Sequence, residues 1–362
     1  MKKIIVFVSI LFCLMLSSCL KEDDMKAPFK GFVPADISDG WIISSPSAEN
    51  MDSAGLDNIF RDIYTEERNW MMKSLLVFRN GKLLAEYYPR DEADRTETDA
   101  IWSCTKQINA IITGIAIDKG YIGSPDDPIS KYLPGDIEKH SDKKDILIKH
   151  LLTMKSGIAF DNGGNDNDNF KQGKVDNSID YILNMKLIDQ PGTVFSYKDS
   201  DPQLLSAIVQ KATGEPLDEF GNRVLFNPLG ITNYYWYRNT DGVTLGSWGI
   251  LTTPRELAKV AQCILDSGRF NNQQIIPLHW LQDMLKVHVP DVERDFGFGY
   301  LWWILPSKGW FLMRGHGGQY AFILPSEKMV VVITSLPNVD DDCSLPVSYY
   351  IDIADRIAAT AY

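Results

Sequence analysis

The chain is short of positive charge, of cysteine and of long apolar runs, and each shortage removes a class of function. Against 48 Asp and Glu stand only 36 Lys and Arg, a formal net charge of −12. No Lys/Arg block offsets this locally, so the surface repels phosphate backbones and a nucleic-acid partner is not expected. Five cysteines are scattered through 362 residues. Cys13 falls in the N-terminal apolar run, and Cys19, Cys104, Cys263 and Cys343 show no zinc-ligand spacing and no disulfide framework. His140, His279 and His288 have no partners at ligand spacing, and His150 reads as structural. No metal and no cofactor are expected. The segment Asp295-Phe296-Gly297-Phe298-Gly299 has the wrong spacing for a phosphate-binding loop and leads into a strand. An Asp/Asn/Gly stretch, residues 161–169, fails the EF-hand pattern because its twelfth position is Gln172. It reads instead as a loop near a cleft.

The longest apolar run is Ile4 to Leu16, behind Lys2 and Lys3, too short for a confident membrane span. It ends in Leu16-Ser17-Ser18-Cys19, which resembles a bacterial lipobox. Residues 1–18 are therefore expected to be a signal peptide, and Cys19 to carry lipid. The product would be a lipoprotein of the bacterial cell envelope, periplasmic or surface-exposed, attached by lipid and not by a helix. Residues 19–45 hold Pro28, Gly31 and Pro34 with little periodicity and read as a tether.

What remains, residues 46–362, is rich in apolar residues (44% of the whole chain), enough for a sizeable core. Residues 47–68 carry a helical apolar stripe of Leu56, Ile59, Phe60 and Ile63. Asn80-Gly81 between strand-like runs 74–79 and 82–87 signals a hairpin. Helical segments between Pro/Gly/Asp loops follow, over about 99–291. Aromatic and β-branched runs then return at Tyr300–Leu305, Trp310–Arg314, Gln319–Leu324 and Met329–Ser335, before a final helix over 347–360. Strands at both ends with helices between predict an α/β fold. Its antiparallel sheet, flanked by helices, is assembled from residues 46–98 and 292–362, with the mainly helical part inserted.

Three short stretches could carry chemistry. Ser103 and Lys106 lie one helical turn apart at the head of an isoleucine-rich run. A serine hydroxyl needs a neighbouring base before it attacks, and a helix N-terminus favours a developing oxyanion. Tyr197, in Phe195-Ser196-Tyr197-Lys198-Asp199, stands on a loop entering a helix, where a phenol could relay a proton. His316-Gly317-Gly318, before Gln319, reads as the start of a strand along which a substrate backbone could lie. Cys104 sits one residue off the Ser103–Lys106 face and reads as buried packing.

In this order and at separations of 94 and 119 residues, Ser103-x-x-Lys106, Tyr197-x-Asp199 and His316-Gly317-Gly318 resemble the motifs of the penicillin-recognising serine hydrolases. The likeness is to the class C, esterase and nylon-oligomer-hydrolase-like branch of the β-lactamase superfamily. It extends to "HLLTMKSG" (150–157), "PGTVFSYKDSD" (191–201), "WGILTTPRELAK" (248–259) and "FGFGYLWW" (296–303). The resemblance implies a β-lactamase/transpeptidase-like fold and an acyl-serine mechanism without cofactor. Ser103 would attack, Lys106 would hold or accept the serine proton, and Tyr197 would activate the serine or the leaving group. His316, Gly317, Gly318, Gln319 and Asp199 would line the substrate site, with the backbone N–H groups of Ser103 and Gln319 as the oxyanion hole. Asp199 replaces the asparagine common in the second motif; a carboxylate only accepts hydrogen bonds, and its charge helps keep Lys106 protonated. His316 replaces a lysine that binds substrate carboxylates. Both departures point away from antibiotics and toward a small ester, amide or peptide. The alternative is a penicillin-binding-like or catalytically slow surface binding protein on the same fold.

Overall fold

The computed structural model describes residues 28–163, 167–337 and 345–362. The expected signal peptide, Cys19 and Cys343 lie outside them. Nine strands form the main sheet: β1 (Ile42–Ile43), β2 (Met72–Arg79), β3 (Lys82–Tyr87), β4 (Val289–Glu293), β5 (Phe296–Phe298), β6 (Trp303–Leu305), β7 (Trp310–Gly315), β8 (Gln319–Leu324) and β9 (Met329–Ser335). Their order is β1-β3-β2-β9-β8-β7-β6-β5-β4. The β2–β9 ladder, with Leu76 opposite Val332 and Val77 opposite Val331, zips the two ends of the sequence together. The sheet is mixed, because β1 runs parallel to β3 at one edge while its other pairs are antiparallel. Asn80 and Gly81 take φ of 51° and 74°, the left-handed pair that a two-residue hairpin requires.

The two faces of the sheet are covered by different helices. Phe60 of α1 (Ser53–Thr65) packs 6.2 Å from Tyr87, on the face that also bears Leu75 and Val77. Tyr320 meets Tyr350 of the last helix, Val347–Ala358, at 4.7 Å on that side. The opposite face carries Leu76, Phe78 and Glu86, and Glu86 accepts from Arg255 Nε at 2.9 Å. Arg255 lies on helix Pro254–Leu265, which packs on β8 and β9. That helix falls in the stretch 99–291 expected to form the inserted helical part, yet it belongs to the sheet layers. Each fully buried Val, Leu or Phe here stabilises by ~1.5–3 kcal/mol relative to exposure.

Two segments depart from the sequence reading. The helix expected over 47–68 is broken: Asn50 turns left-handed at φ 57°, and Asp52 then caps α1 by accepting the Ala54 N–H at 3.0 Å. Residues 28–45 are not a free tether. Phe32 stacks on Phe60 at 4.9 Å and its carbonyl takes the Glu86 N–H at 2.9 Å. Arg255, 2% exposed, then binds the Ala35 carbonyl at 2.7 Å and Asp39 at 3.0 Å. A buried guanidinium with three oxygen partners needs this segment in place, since an unmatched buried charge is expensive.

The site is positioned by α2 (Cys104–Asp118), whose residues from Cys104 to Ala116 are all buried. It runs between the sheet, at β7, and the helical part, where it packs on α3 (Ser200–Thr213). Its N-terminus therefore opens at the seam between the two.

Candidate active site

The chain enters α2 through a strained residue. Trp102 has φ of 47°, unusual for a bulky side chain. It is held there by its own indole, which donates to the Pro337 carbonyl at 2.6 Å. The Ile101 N–H on its other side donates to the Ile250 carbonyl at 3.1 Å. The first turn is tight: Cys104, Thr105 and Lys106 N–H groups donate to the carbonyls of Ile101, Trp102 and Ser103 at 3.0–3.1 Å. Ser103 is thereby fixed at the helix head, half-buried, at the edge of the cleft.

Lys106 is completely buried and its ammonium has three acceptors. Nζ donates to Ser103 Oγ at 2.7 Å and to the Ser247 carbonyl at 3.0 Å, and pairs with Asp199 Oδ1 at 2.5 Å. The Tyr197 ring centroid lies 5.1 Å from the same nitrogen. Burial works to lower the Lys106 pKa, but the charge of Asp199, with Tyr197 behind it, outweighs burial and the pKa is raised. Lys106 is thus an ammonium at neutral pH, hydrogen-bonded to Ser103 and Ser247 and ion-paired with Asp199.

Tyr197 and Asp199 reach the site because their segment is tied down on both sides. The Ser196 N–H donates to the Met154 carbonyl at 2.9 Å. Asp201, fully buried at the head of α3, accepts from Ser156 Oγ at 2.7 Å and Ser200 Oγ at 3.1 Å. Tyr197 packs on Trp303 at 5.5 Å and on Phe298 at 6.3 Å, so its ring is wedged between helix and sheet.

The third element differs from its sequence reading. His316, Gly317 and Gly318 are the turn between β7 and β8 and not part of a strand. The glycines are demanded by that turn: φ is 70° at Gly317 and 92° at Gly318, and a Cβ on Gly318 would fall 2.4 Å from Tyr350 Oη. His316 is exposed, 6.1 Å edge-on from the Trp102 ring. The Gln319 side chain points away from the cleft, bonded to the Ser335 carbonyl at 2.8 Å and accepting the Ser335 N–H at 3.3 Å. Its backbone remains beside α2, where its carbonyl receives the Cys104 thiol at 3.6 Å. Burial pushes that thiol far above its ordinary pKa, which leaves it inert as a nucleophile.

Ser103, Tyr197, Asp199, His316, Gly317 and Gly318 all line one cleft of about 1670 Å³. Spacing did not reveal the rest of its wall. Trp248 faces Trp102 at 5.9 Å, and the Arg314 guanidinium lies 4.7 Å over Trp303 while pairing with Glu293 at 2.7 Å. Asn162 and Asn169 come from the acidic stretch 161–169, which lies near the cleft as expected but is helical from Asp168 and not loop throughout, and Glu293, Arg294 and Asp295 from the end of β4 and the turn after it. A hydroxyl against an ammonium, a phenol over it and a helix N-terminus together suit acyl transfer to serine.

Residues 72–344 match the family described as Beta-lactamase. A protein of Escherichia coli (strain K12) provisionally named D-alanyl-D-alanine carboxypeptidase is 33% identical over 311 residues, covering 65% of this chain and 70% of the relative. The 6-aminohexanoate-dimer hydrolase of Paenarthrobacter ureafaciens is 22% identical over 302 residues, covering 74% and 73%. Among solved structures, a Bacillus anthracis protein provisionally named 6-aminohexanoate-dimer hydrolase superposes with a TM-score of 0.72 at 20% identity, covering 90% of this chain and 89% of that one.

Proposed function

The chain belongs to the beta-lactamase family, and from that premise we propose that it is a serine hydrolase that cleaves a small ester, amide or peptide bond through an acyl-serine intermediate. The observation that carries this reading is the 2.7 Å hydrogen bond from Lys106 Nζ to Ser103 Oγ at the floor of the cleft. Because the ammonium donates to Oγ, the hydroxyl proton of Ser103 is free to point elsewhere. Lys106 has no lone pair to receive it, so Tyr197 relays it: the phenol oxygen accepts the serine proton as the phenol's own proton moves on toward the leaving group.

Ser103 Oγ then attacks the substrate carbonyl carbon. The oxyanion is held by backbone N–H groups at the α2 head and the start of β8. The carbonyl re-forms as the bond to the leaving group breaks, and the leaving oxygen or nitrogen departs with the proton relayed through Tyr197. A water molecule attacks the acyl-serine by the same route in reverse, and Ser103 regains its proton. Lys106 supplies constant positive charge beside both transfers. His316, at the exposed rim, meets the far part of the substrate.

The names of the relatives, a carboxypeptidase and a 6-aminohexanoate-dimer hydrolase, favour amide or peptide bonds among the candidates. The lipobox-like Leu16-Ser17-Ser18-Cys19 supports lipid attachment at Cys19 and a place on the bacterial cell envelope. The test is a fluorophosphonate probe with wild type and Ser103→Ala, alongside p-nitrophenyl esters, D-amino-acid dipeptides and linear amides. Labelling and turnover are expected in wild type only. Turnover that survives in Ser103→Ala would sink the proposal, and stable acylation by a β-lactam with no turnover of any substrate would favour a binding protein.

A further inference from the structure

The Lys106 ammonium is held by Asp199, and Asp199 is itself held by residues that the catalytic motifs do not include, Asn162 in a loop and Asn169 on the short helix Asp168–Gln172. Its Oδ1 faces Lys106, while its Oδ2 accepts from Asn169 Nδ2. Its backbone N–H donates to Asn162 Oδ1 at 3.0 Å. The direction of the Asn169 amide is set in turn by Gln172, fully buried, whose Nε2 donates to Asn169 Oδ1 at 3.0 Å. An amide bonded through its oxygen to Gln172 must present its NH₂ to Asp199.

We infer that Asn169 is a positioning residue for the proton-transfer step, holding the Asp199 carboxylate against Lys106 so that the lysine stays an ammonium beside Ser103. The inference rests on the hydrolase reading for its catalytic consequence, but not for its geometry. Asp199 lines the open cleft, so a carboxylate anchored only by Lys106 could swing toward water. Two-point anchoring through both oxygens prevents this. It also explains how a carboxylate serves where relatives often carry an amide: the amide donor comes from position 169 instead. Asparagine is specified over aspartate there, because a second carboxylate would face the first.

The charged and titratable groups around Lys106 are few. Asp199 and Tyr197 face it from the segment ahead of α3. On its own helix, Cys104 is near enough for the ammonium to favour its thiolate, although burial dominates there. Ser103 and the Ser247 carbonyl complete the contacts, both uncharged. Arg314 faces Tyr197 from β7 and is paired with Glu293. With Asp199 displaced, no other carboxylate among these groups takes its place, and burial of the ammonium acts unopposed.

The test uses full-length wild type, Asn169→Ala and Asn169→Asp. Lysines labelled with ¹³C at Cε are titrated by NMR from about pH 7 upward until the wild-type Lys106 signal has moved through its midpoint, that signal being assigned by its loss in Lys106→Arg. In Asn169→Ala, Lys106 is expected to lose its proton about one pH unit lower than in wild type. The alkaline fall of kcat for p-nitrophenyl butyrate should move down with it, while KM stays within about twofold. Asn169→Asp should lower kcat at neutral pH further than Asn169→Ala does. Lys106 titration curves that superimpose on wild type in both variants would overturn the inference. If wild type neither labels with fluorophosphonate nor turns over an ester, the hydrolase reading falls, while the NMR titration still decides whether Asn169 holds the ion pair.

Discussion

Lys106 lies buried behind the cleft wall that Ser103 forms and His316 on the hairpin turn that forms another part of that wall, and the molecule treats these two basic side chains in opposite ways. Lys106 is buried on a packed helix, hydrogen-bonded to two oxygens and ion-paired with a carboxylate. His316 is exposed on a three-residue turn whose shape is fixed by two left-handed glycines. The buried wall can tune charge, because low dielectric strengthens every contact made there. The exposed wall cannot, since water screens it. On the hydrolase reading proposed above, chemistry falls to the helix wall and discrimination among substrates to the hairpin wall.

The most severe way to break this contrast is Lys106→Ala. It removes the cation beside Ser103, and kcat should fall by ~10³–10⁴-fold. It also leaves Asp199 without its counter-charge, so chemical denaturation should show a loss of ~3–5 kcal/mol. The double variant Lys106→Met/Asp199→Asn should recover much of that stability and none of the activity, separating charge burial from catalysis. Next is the hairpin backbone. Gly318→Val adds atoms 2.4 Å from Tyr350 Oη and 2.7 Å from Ser335 Oγ at a φ of 92°. A loss on the order of 3 kcal/mol is expected in thermal melts. Gly317→Ala meets the Leu336 carbonyl at 3.2 Å, with its next neighbours at 3.8 Å or more, and at a φ of 70° should lose about 1 kcal/mol.

Asp199→Asn comes third and acts through pH. The Lys106 pKa is raised in the folded protein above the ordinary 10.5, against the effect of burial. The ion pair's contribution to stability is therefore complete below pH 10.5 and fades only as pH climbs through the raised value. With asparagine the carboxylate is gone and burial acts unopposed, so the variant should be less stable than wild type at neutral pH and the gap should narrow as pH climbs above 10.5, measured by scanning calorimetry from about pH 7 to 12. His316→Ala should be mildest: KM rises by less than about tenfold, kcat hardly changes, and stability shifts by no more than ~0.5 kcal/mol. A His316 variant that abolished kcat would erase the division between the walls.

The same division separates what could be read in the sequence from what could not. The Asn80-Gly81 hairpin, the stripe of α1 and the Ser103–Lys106 pair are local, because neighbours in sequence are neighbours in space. The His-Gly-Gly turn misled because glycines read equally well as a flat strand edge or a left-handed bend, and only the β7–β8 register distinguishes them. Residues 28–45 looked like a tether because their partners, Glu86 and Arg255, are far along the chain. Asn169 and the Ser247 carbonyl carry no signature at all. An asparagine among many in an acidic loop, and a backbone oxygen, become parts of the site only once α2 and α3 are packed. The helix Pro254–Leu265 reads as one more amphipathic helix, and nothing in its periodicity says which layer it joins.

The Cys104 thiol, one residue from the nucleophile and donating to the Gln319 carbonyl, offers a native vibrational probe. Its S–H stretch falls in a window where proteins hardly absorb, and its frequency follows the strength of that one contact. Acylation at Ser103 that nudges β8 against α2 would therefore be visible as an infrared shift, with no label introduced and no risk of the thiol reacting first.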